Sequence, residues 1–180
     1  MCEISGFISD HLKTAGHIRS MNNLIRHLSP DDEGFALYKD SFSAPVVAGG
    51  TDKPEQCWRS EVSNAPKIRI EQVNDLPVLV ALGHRRLSII DVSPYGHQPM
   101  SYLNGRYWIT YNGEIYNYIE LRAELESLGH RFISQSDIVI ILAAFAQWGA
   151  DCFHHFNGMW VFAIYDTIRK KFSCHAIDLG

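Results

Sequence analysis

Residues 105–130, GRYWITYNGEIYNYIELRAELESLGH, decide how this chain is put together. β-formers run from Arg106 to Tyr111 and predict a strand. It breaks at Asn112-Gly113, a pair that tolerates positive φ and exposes backbone N–H groups. A helix follows, with Asn117 as N-cap, Glu120 three residues on, an inner face of Tyr118, Leu121, Leu125 and Leu128, and Gly129 as its stop. A second helix is expected from Asp137 to Trp148, ended by Gly149. Its core, IVIILAAFA, is apolar almost all round and so belongs between layers. MWVFAIYD (159–166), a turn at TIRKK and KFSCHAI (171–177) read as a closing hairpin.

Towards the N-terminus, CEISGFI (2–8) alternates loosely and predicts a first strand, with Cys2 buried at a sheet edge. A helix is expected from Ala15 to His27, with Ile18, Met21, Leu24 and Ile25 on one face. SPDDEG (29–34) reads as a turn and GFALYKD as a second strand. Residues 41–77 are rich in Pro, Gly, Ser and Asn, with a short IRI interruption, and form an excursion rather than an interdomain linker. VLVALG and RRLSII then give a buried strand whose exit is marked by Arg85 and Arg86, read as solvated strand ends. Strands, two helices together and more strands make an α+β pattern with antiparallel pairing and helices covering the outer sheet faces.

At 180 residues the chain suits one domain. Its 16 basic and 20 acidic side chains give a formal charge of −4, and no Lys/Arg-rich run supports a nucleic-acid partner. A small neutral or zwitterionic ligand fits better. The first twenty residues carry acids and polar groups where a signal peptide needs an apolar core, and no stretch reads as a membrane span, so a cytoplasmic location is expected. Cys2, Cys57, Cys152 and Cys174 lack paired spacing and read as reduced thiols. His154 and His155 are adjacent, without HxH or HxxxH spacing, so no metal is expected.

Cys2 stands directly behind the initiator methionine. Removal of Met1 would give it an α-amine of pKa about 7.7–8.0, a base carried by the nucleophile itself. Three groupings could serve such a thiol. In GHRRLSIID (83–91) an arginine could hold a carboxylate with its two-pronged donors. In YNGEIYN (111–117) the Asn112 carboxamide and the Gly113 N–H could form an oxyanion hole. At Ser136-Asp137, Asp137 could accept an ammonium group or cap a helix. These are the needs of a free amino acid such as glutamine whose side-chain amide is to be split.

MC at the start, PDDEG, LGHRRLSIIDVSPYGHQPM, GRYWITYNGEIYNYIELRAELESLGH, SQSD and FNGMWVFAIYD stand in one order along the chain. With them the chain resembles the class II, N-terminal-nucleophile glutamine amidotransferase domain, and in particular the amino-terminal half of glutamine-hydrolysing asparagine synthetases. The resemblance implies a four-layer αββα sandwich of antiparallel sheets over residues 1–180. It also implies removal of Met1 and hydrolysis of L-glutamine to glutamate and ammonia through a thioester on Cys2. By the same resemblance Arg86 binds the substrate carboxylate, Asn112 and Gly113 form the oxyanion hole, and Glu114 and Asp137 contact the α-amino end. No cofactor is implied for this domain. ATP and Mg belong to a synthetase domain, or a partner chain accepting ammonia, whose Ser-Gly-Gly-x-Asp-Ser segment is not found in these residues. A homo-oligomer is compatible with the sequence.

The sequence departs from the family pattern at several places. Glu3 stands where the family has glycine and adds bulk beside the nucleophile. Leu28 and Ser29 replace an Arg-Gly pair, and Val139 replaces the glutamate that would complete a capping box with Ser136. His175–Gly180 replace an Ala-Arg-Asp-Arg-Phe-Gly strand end, after which the family's last strands are expected. An active glutaminase domain and an amidotransferase-like module with a binding or regulatory role are therefore both open, with another N-terminal-cysteine hydrolase, such as an acylase, as a third reading.

Overall fold

The computed structural model describes residues 2–40, 43–59, 64–87, 96–132 and 136–177. Met1, residues 88–95 and 133–135 of the quoted motifs, and residues 178–180 lie outside them. Among the described residues two sheets form the middle layers. The first runs in the order β1 (Glu3–Thr14), β5 (Pro77–Arg86), β2 (Asp32–Tyr38), β3 (Val46–Gly49), β4 (Ile68–Arg69). The second runs β6 (Met100–Tyr102), β7 (Tyr107–Ile115), β8 (Gly158–Asp166), β9 (Lys171–Ala176). All pairings are antiparallel except β3 with β4, which are parallel through Ala48 and Ile68.

Three apolar clusters hold the layers. Helix α1 (Ala15–Leu24) lays Ala15 and Ile18 on Phe35, Leu37 and Ala81 of the first sheet. Between the sheets Ala36, Tyr38, Val80 and Leu82 meet Trp108, Ala163 and Tyr165. On the far side α3 (Tyr118–Ser127) and α4 (Asp137–Trp148) pack on Ile109, Tyr111, Phe162 and Ile164. The layers are thus helix, sheet, sheet and helices, the αββα arrangement the resemblance implied. Strand β2 is covered on both faces and buried throughout. The remaining helix, α2 (Glu55–Trp58), is a single turn.

Several local expectations are corrected. Asp32, Glu33 and Gly34 belong to β2 and not to a turn, because the two acids find buried cations. The buried face of α1 is Ala15, Ile18 and Asn22, whereas Met21 and Leu24 are exposed, Leu24 at 77%. Asn22 is drawn in by Ser5 Oγ, which donates to it at 3.1 Å, and by Arg85, whose Nε donates to its carbonyl. In α3, Leu121 and Leu125 are buried but Leu128 is 49% exposed. Asn117 makes no side-chain cap; its carboxamide instead bridges His155 O and Asn157 N, both at 2.9 Å, clamping the start of α3 to the approach to β8. Helix α4 is sandwiched as expected, Ile138 to Ala144 all being buried. Together with the 3₁₀ segment Gly149–His155 it is long and apolar enough, by length and composition, to cross a membrane, but here that apolar surface fills the core.

Candidate active site

The site lies where β1 begins and β5 and β7 end. Two bonds between the sheets fix that alignment: Thr110 Oγ1 donates to Gly83 O at 3.1 Å, and His84 Nε2 donates to Tyr111 O at 3.2 Å. The partners advance together along the two strands. Arg86 and Gly113, each two or three residues further on, therefore emerge at one end. Burial pushes the His84 imidazole down to about 3, so it serves this bond as a neutral donor.

Alternation along β1 and β5 separates two rows of side chains. Glu3 faces Arg85, Ser5 faces Gly83, and Phe7 packs towards α1. Cys2, Ile4 and Gly6 belong to the opposite row, which looks into the space between the sheets. Continued one step past the Glu3–Arg85 pair, the register would set Cys2 level with Arg86, and Arg86 in turn pairs with Asp32 on β2. Glu3, the departure beside the nucleophile, is thus on the other face. The Arg86 guanidinium lies against Gly96: a Cβ there would come within 2.5 Å of Nη2 and 2.9 Å of Cζ. A side chain there would have to displace the guanidinium.

In the second sheet the strand does not break at Asn112-Gly113, contrary to the sequence expectation. It continues to Ile115, with Gly113 opposite Trp160 and Glu114 opposite Met159. Trp160 O accepts from Ile177 N on its other side, at 3.0 Å. Facing residues of an antiparallel ladder point both towards or both away from each other, so the Gly113 N–H is directed away from β8. On that side β6 pairs with Ile109, and at Tyr111 the rung is made by a side chain. The Gln98 carboxamide accepts from Tyr111 N at 2.7 Å and donates to Tyr111 O at 3.0 Å. At Gly113 β6 has already ended. Its φ is +148°, and an added Cβ would collide with Met159 O and lie 2.6 Å from Trp160 Cα.

Asp137 opens α4, capped by Ser136, whose Oγ accepts from Ile138 N at 3.2 Å. Val139, at the position where the family has glutamate, is instead buried in the helix-side core. Asp137 Oδ2 accepts from Tyr111 Oη at 2.8 Å. Burial pushes Asp137 up, while that hydroxyl and the backbone N–H groups of Ile115, Ile138 and Asp137 itself pull it down. The Tyr111 hydroxyl is held well above its usual range, first by burial and then by Asp137, Glu114 and Cys2, all within electrostatic reach. Of these, Asp137 is the one the phenol touches. Tyr111, His84 and Gln98 were not singled out by the sequence; YNGEIYN, GHRRLSIID and GHQPM contain them, but their partners come from other segments.

A charged cluster behind Arg86 was also missed. Lys53 Nζ lies 2.8 Å from Asp32 Oδ1, and His97 Nδ1 lies 2.7 Å from the same ammonium. Its outer counterpart is Arg85, which is wholly buried and not a solvated strand end. Arg85 donates to Glu33 at 2.9 Å, Asp52 at 2.6 Å, Asn23 Oδ1 at 3.2 Å and Asn22 O at 3.1 Å. Leu28 is exposed and Ser29 buried. Their segment is docked on the site strand by Asp31 N, which donates to Arg86 O at 3.0 Å. Among the described residues no three His, Cys, Asp or Glu side chains form a metal-ligand group.

Residues 73–176, which include Arg86, Asn112, Gly113, Glu114 and Asp137, match the family model described as a glutamine amidotransferase domain. The chain belongs to that family. Within this amidotransferase family, asparagine synthetase [glutamine-hydrolyzing] 3 of Bacillus subtilis is 42% identical over 93 residues, 51% of this chain and 15% of that protein. Asparagine synthetase [glutamine-hydrolyzing] 1 of the same organism is 48% identical over 87 residues, 48% of this chain and 14% of its own length. A Mycobacterium bovis relative is 40% identical over the whole of this chain, covering 24% of that protein. The chain thus spans a third or less of the length of these curated relatives. Among solved structures, the B. subtilis glutamine phosphoribosylpyrophosphate amidotransferase, complexed with ADP and GMP, superposes with a TM-score of 0.66 at 16% identity. That match covers 93% of this chain and 35% of that one. At that identity it shows a shared fold.

Gly113→Ala is expected to cost about 1–3 kcal/mol of stability through strain and overpacking. Any reaction using the Gly113 N–H should slow by about 10²-fold, since a displacement of about 1 Å is enough for that. Thermal melts and steady-state rates of the same preparation check both.

Proposed function

We propose that this amidotransferase domain hydrolyses L-glutamine to glutamate and ammonia through a thioester on Cys2, and that the ammonia serves an asparagine-synthetase-like reaction on an accompanying domain or partner chain. What supports the reading is that β1 begins beside the Arg86 end of β5, and that the His84–Tyr111 bond sets that end level with the Gly113 end of β7, where the Gly113 N–H is directed away from β8.

With Met1 removed, the Cys2 α-amine takes the thiol proton as sulfur attacks the side-chain carbonyl carbon. The oxygen gains negative charge and is met by the Gly113 N–H and the Asn112 carboxamide. The C–N bond breaks, the α-amine returns its proton to the leaving nitrogen, and ammonia departs. Water, deprotonated by the same amine, then cleaves the thioester to release glutamate. Arg86 holds the α-carboxylate bidentately, and Glu114 and Asp137 receive the α-ammonium. In this reading the protein works in the cytoplasm.

The test is release of glutamate and ammonia from glutamine by protein whose mature N-terminus is verified by mass, together with labelling of Cys2 by a glutamine-derived diazo-ketone. No labelling with Met1 removed would overturn the proposal, and partner binding unaffected by Cys2→Ala would favour a binding module. Arg86→Gln is expected to raise KM for glutamine by roughly 10- to 100-fold, since a hydrogen bond to a charged group contributes about 1.5–3 kcal/mol.

A further inference from the structure

The loop between β3 and α2 sends adjacent side chains to opposite faces of the first sheet. Asp52 reaches Arg85 on the α1 side, while Lys53 reaches Asp32 between the sheets. The Lys53 side chain is wholly buried and that of Asp32 is 4% exposed, so this ion pair is sealed from water. His97 Nδ1 closes the triangle, 2.7 Å from Lys53 Nζ and 3.3 Å from Asp32 Oδ2. Burial pushes Asp32 up, but His97 and Lys53 outweigh it and hold the carboxyl at about 2, so it is a permanent anion.

That anion stands directly opposite Arg86 in the β2–β5 register. Directly opposed residues share a face, with Cβ atoms about 4.5–5.5 Å apart. The Arg86 guanidinium is also within electrostatic reach of His97, the third member of the triangle. Without Lys53, Asp32 would be a buried carboxylate stripped of its counter-ion, a state proteins avoid at a cost of several kcal/mol. A cation on the same face, one strand away, is Arg86.

We propose that Lys53 is a positioning residue for Arg86. By holding Asp32 in an ion pair of its own, it keeps that carboxylate from drawing the arginine away from the α-carboxylate of the substrate. This rests on the reading of Arg86 as the carboxylate-binding residue. Lys53 touches no reacting atom; it acts through the arginine.

The experiment is a kinetic comparison of Lys53→Met, Asp32→Asn and the double variant, with melting temperatures measured alongside. Lys53→Met is expected to raise KM for glutamine about tenfold or more while kcat stays within about threefold. In the double variant, with the Asp32 carboxylate removed, KM returns to within about threefold of the unsubstituted protein. A purely structural lysine gives no such recovery. The proposal is overturned if KM stays high in a folded double variant, or if Lys53→Met lowers kcat and leaves KM unchanged. Should Lys53→Met not fold, Asp32→Asn alone decides: KM at or below the unsubstituted value supports the proposal, and a raised KM overturns it. No turnover by the unsubstituted protein with Met1 removed overturns the glutaminase reading itself. The same comparison is then made on glutamine Kd by calorimetry with the same two outcomes, and no glutamine binding at all overturns both.

Discussion

Cys2→Ala is expected to lower glutamate release by at least about 10³-fold while leaving glutamine affinity within a few-fold of the unsubstituted protein. The thiol contributes little to holding substrate, because the proposed holds are Arg86 at one end and Asp137 with Glu114 at the other. In the proposed mechanism it contributes the bond that divides the reaction into two easier steps. The other thiols cannot replace it. Cys152 is buried in the helix-side core and pushed by burial up to about 12. Cys174 is on β9, away from the site, and is also raised by burial. Cys57 is buried near Lys53 and Arg86, and burial, partly opposed by Lys53, raises it too. Glutamate release is the measurement, with calorimetry reporting glutamine binding. Activity surviving in Cys2→Ala would assign the chemistry to another group and remove the thioester from the mechanism.

The largest expected loss of stability is at Arg85→Met. The change keeps the volume and removes four donated hydrogen bonds, leaving Glu33 and Asp52 without their shared cation. Breaking a buried ion pair from one side costs about 3–5 kcal/mol. In a domain of this size that lowers the melting temperature by roughly 6–20 °C. Asp52 keeps Arg26 at 2.6 Å, so Glu33 bears most of the change. Burial already pushes the Glu33 carboxyl above its usual value, with Arg85 as the main opposing influence. Adding Glu33→Gln to Arg85→Met should therefore recover part of the loss, a coupling that a double-mutant cycle measures directly. A single variant melting within about 2 °C of the unsubstituted protein would show that the cluster does not hold this end of the sheet.

These two residues mark what a sequence can and cannot show here. Helix α4 was legible because its apolar run has no exposed side, and the β8–β9 hairpin because its alternation and turn are local. Cys2, Arg86, Gly113 and Asp137 were legible as chemistry types, but the strand break read at Asn112-Gly113 was not there: β7 runs on to Ile115 because β8 pairs with it to Gly158. Arg85 was not, because its burial depends on Asn22 and Glu33, 63 and 52 residues away. The acids of SPDDEG looked like a solvated turn for the same reason: Lys53 and Arg85, which make them tolerable inside, come from distant segments. Leu128 failed in the opposite sense, being in phase with the buried side of α3 one turn beyond where the packing ends. Asn117 had the right residue type for a cap, but a nonlocal pair of partners at residues 155 and 157 outbid the local one.

The alternation at the head of β1 makes the site a matter of phase. Cys2 and Glu3 are neighbours in the chain, yet one belongs to the row that includes Arg86 and Asp32 and the other to the row that includes Arg85. Sliding β1 by one position along β5 would exchange them, turning the thiol towards α1 and a carboxylate towards the space between the sheets. The bonds that tie Ser5 to Asn22 and Arg85 to the same helix therefore hold the phase of the first sheet, and under the proposed function they would decide, without touching substrate, which of two adjacent residues it meets.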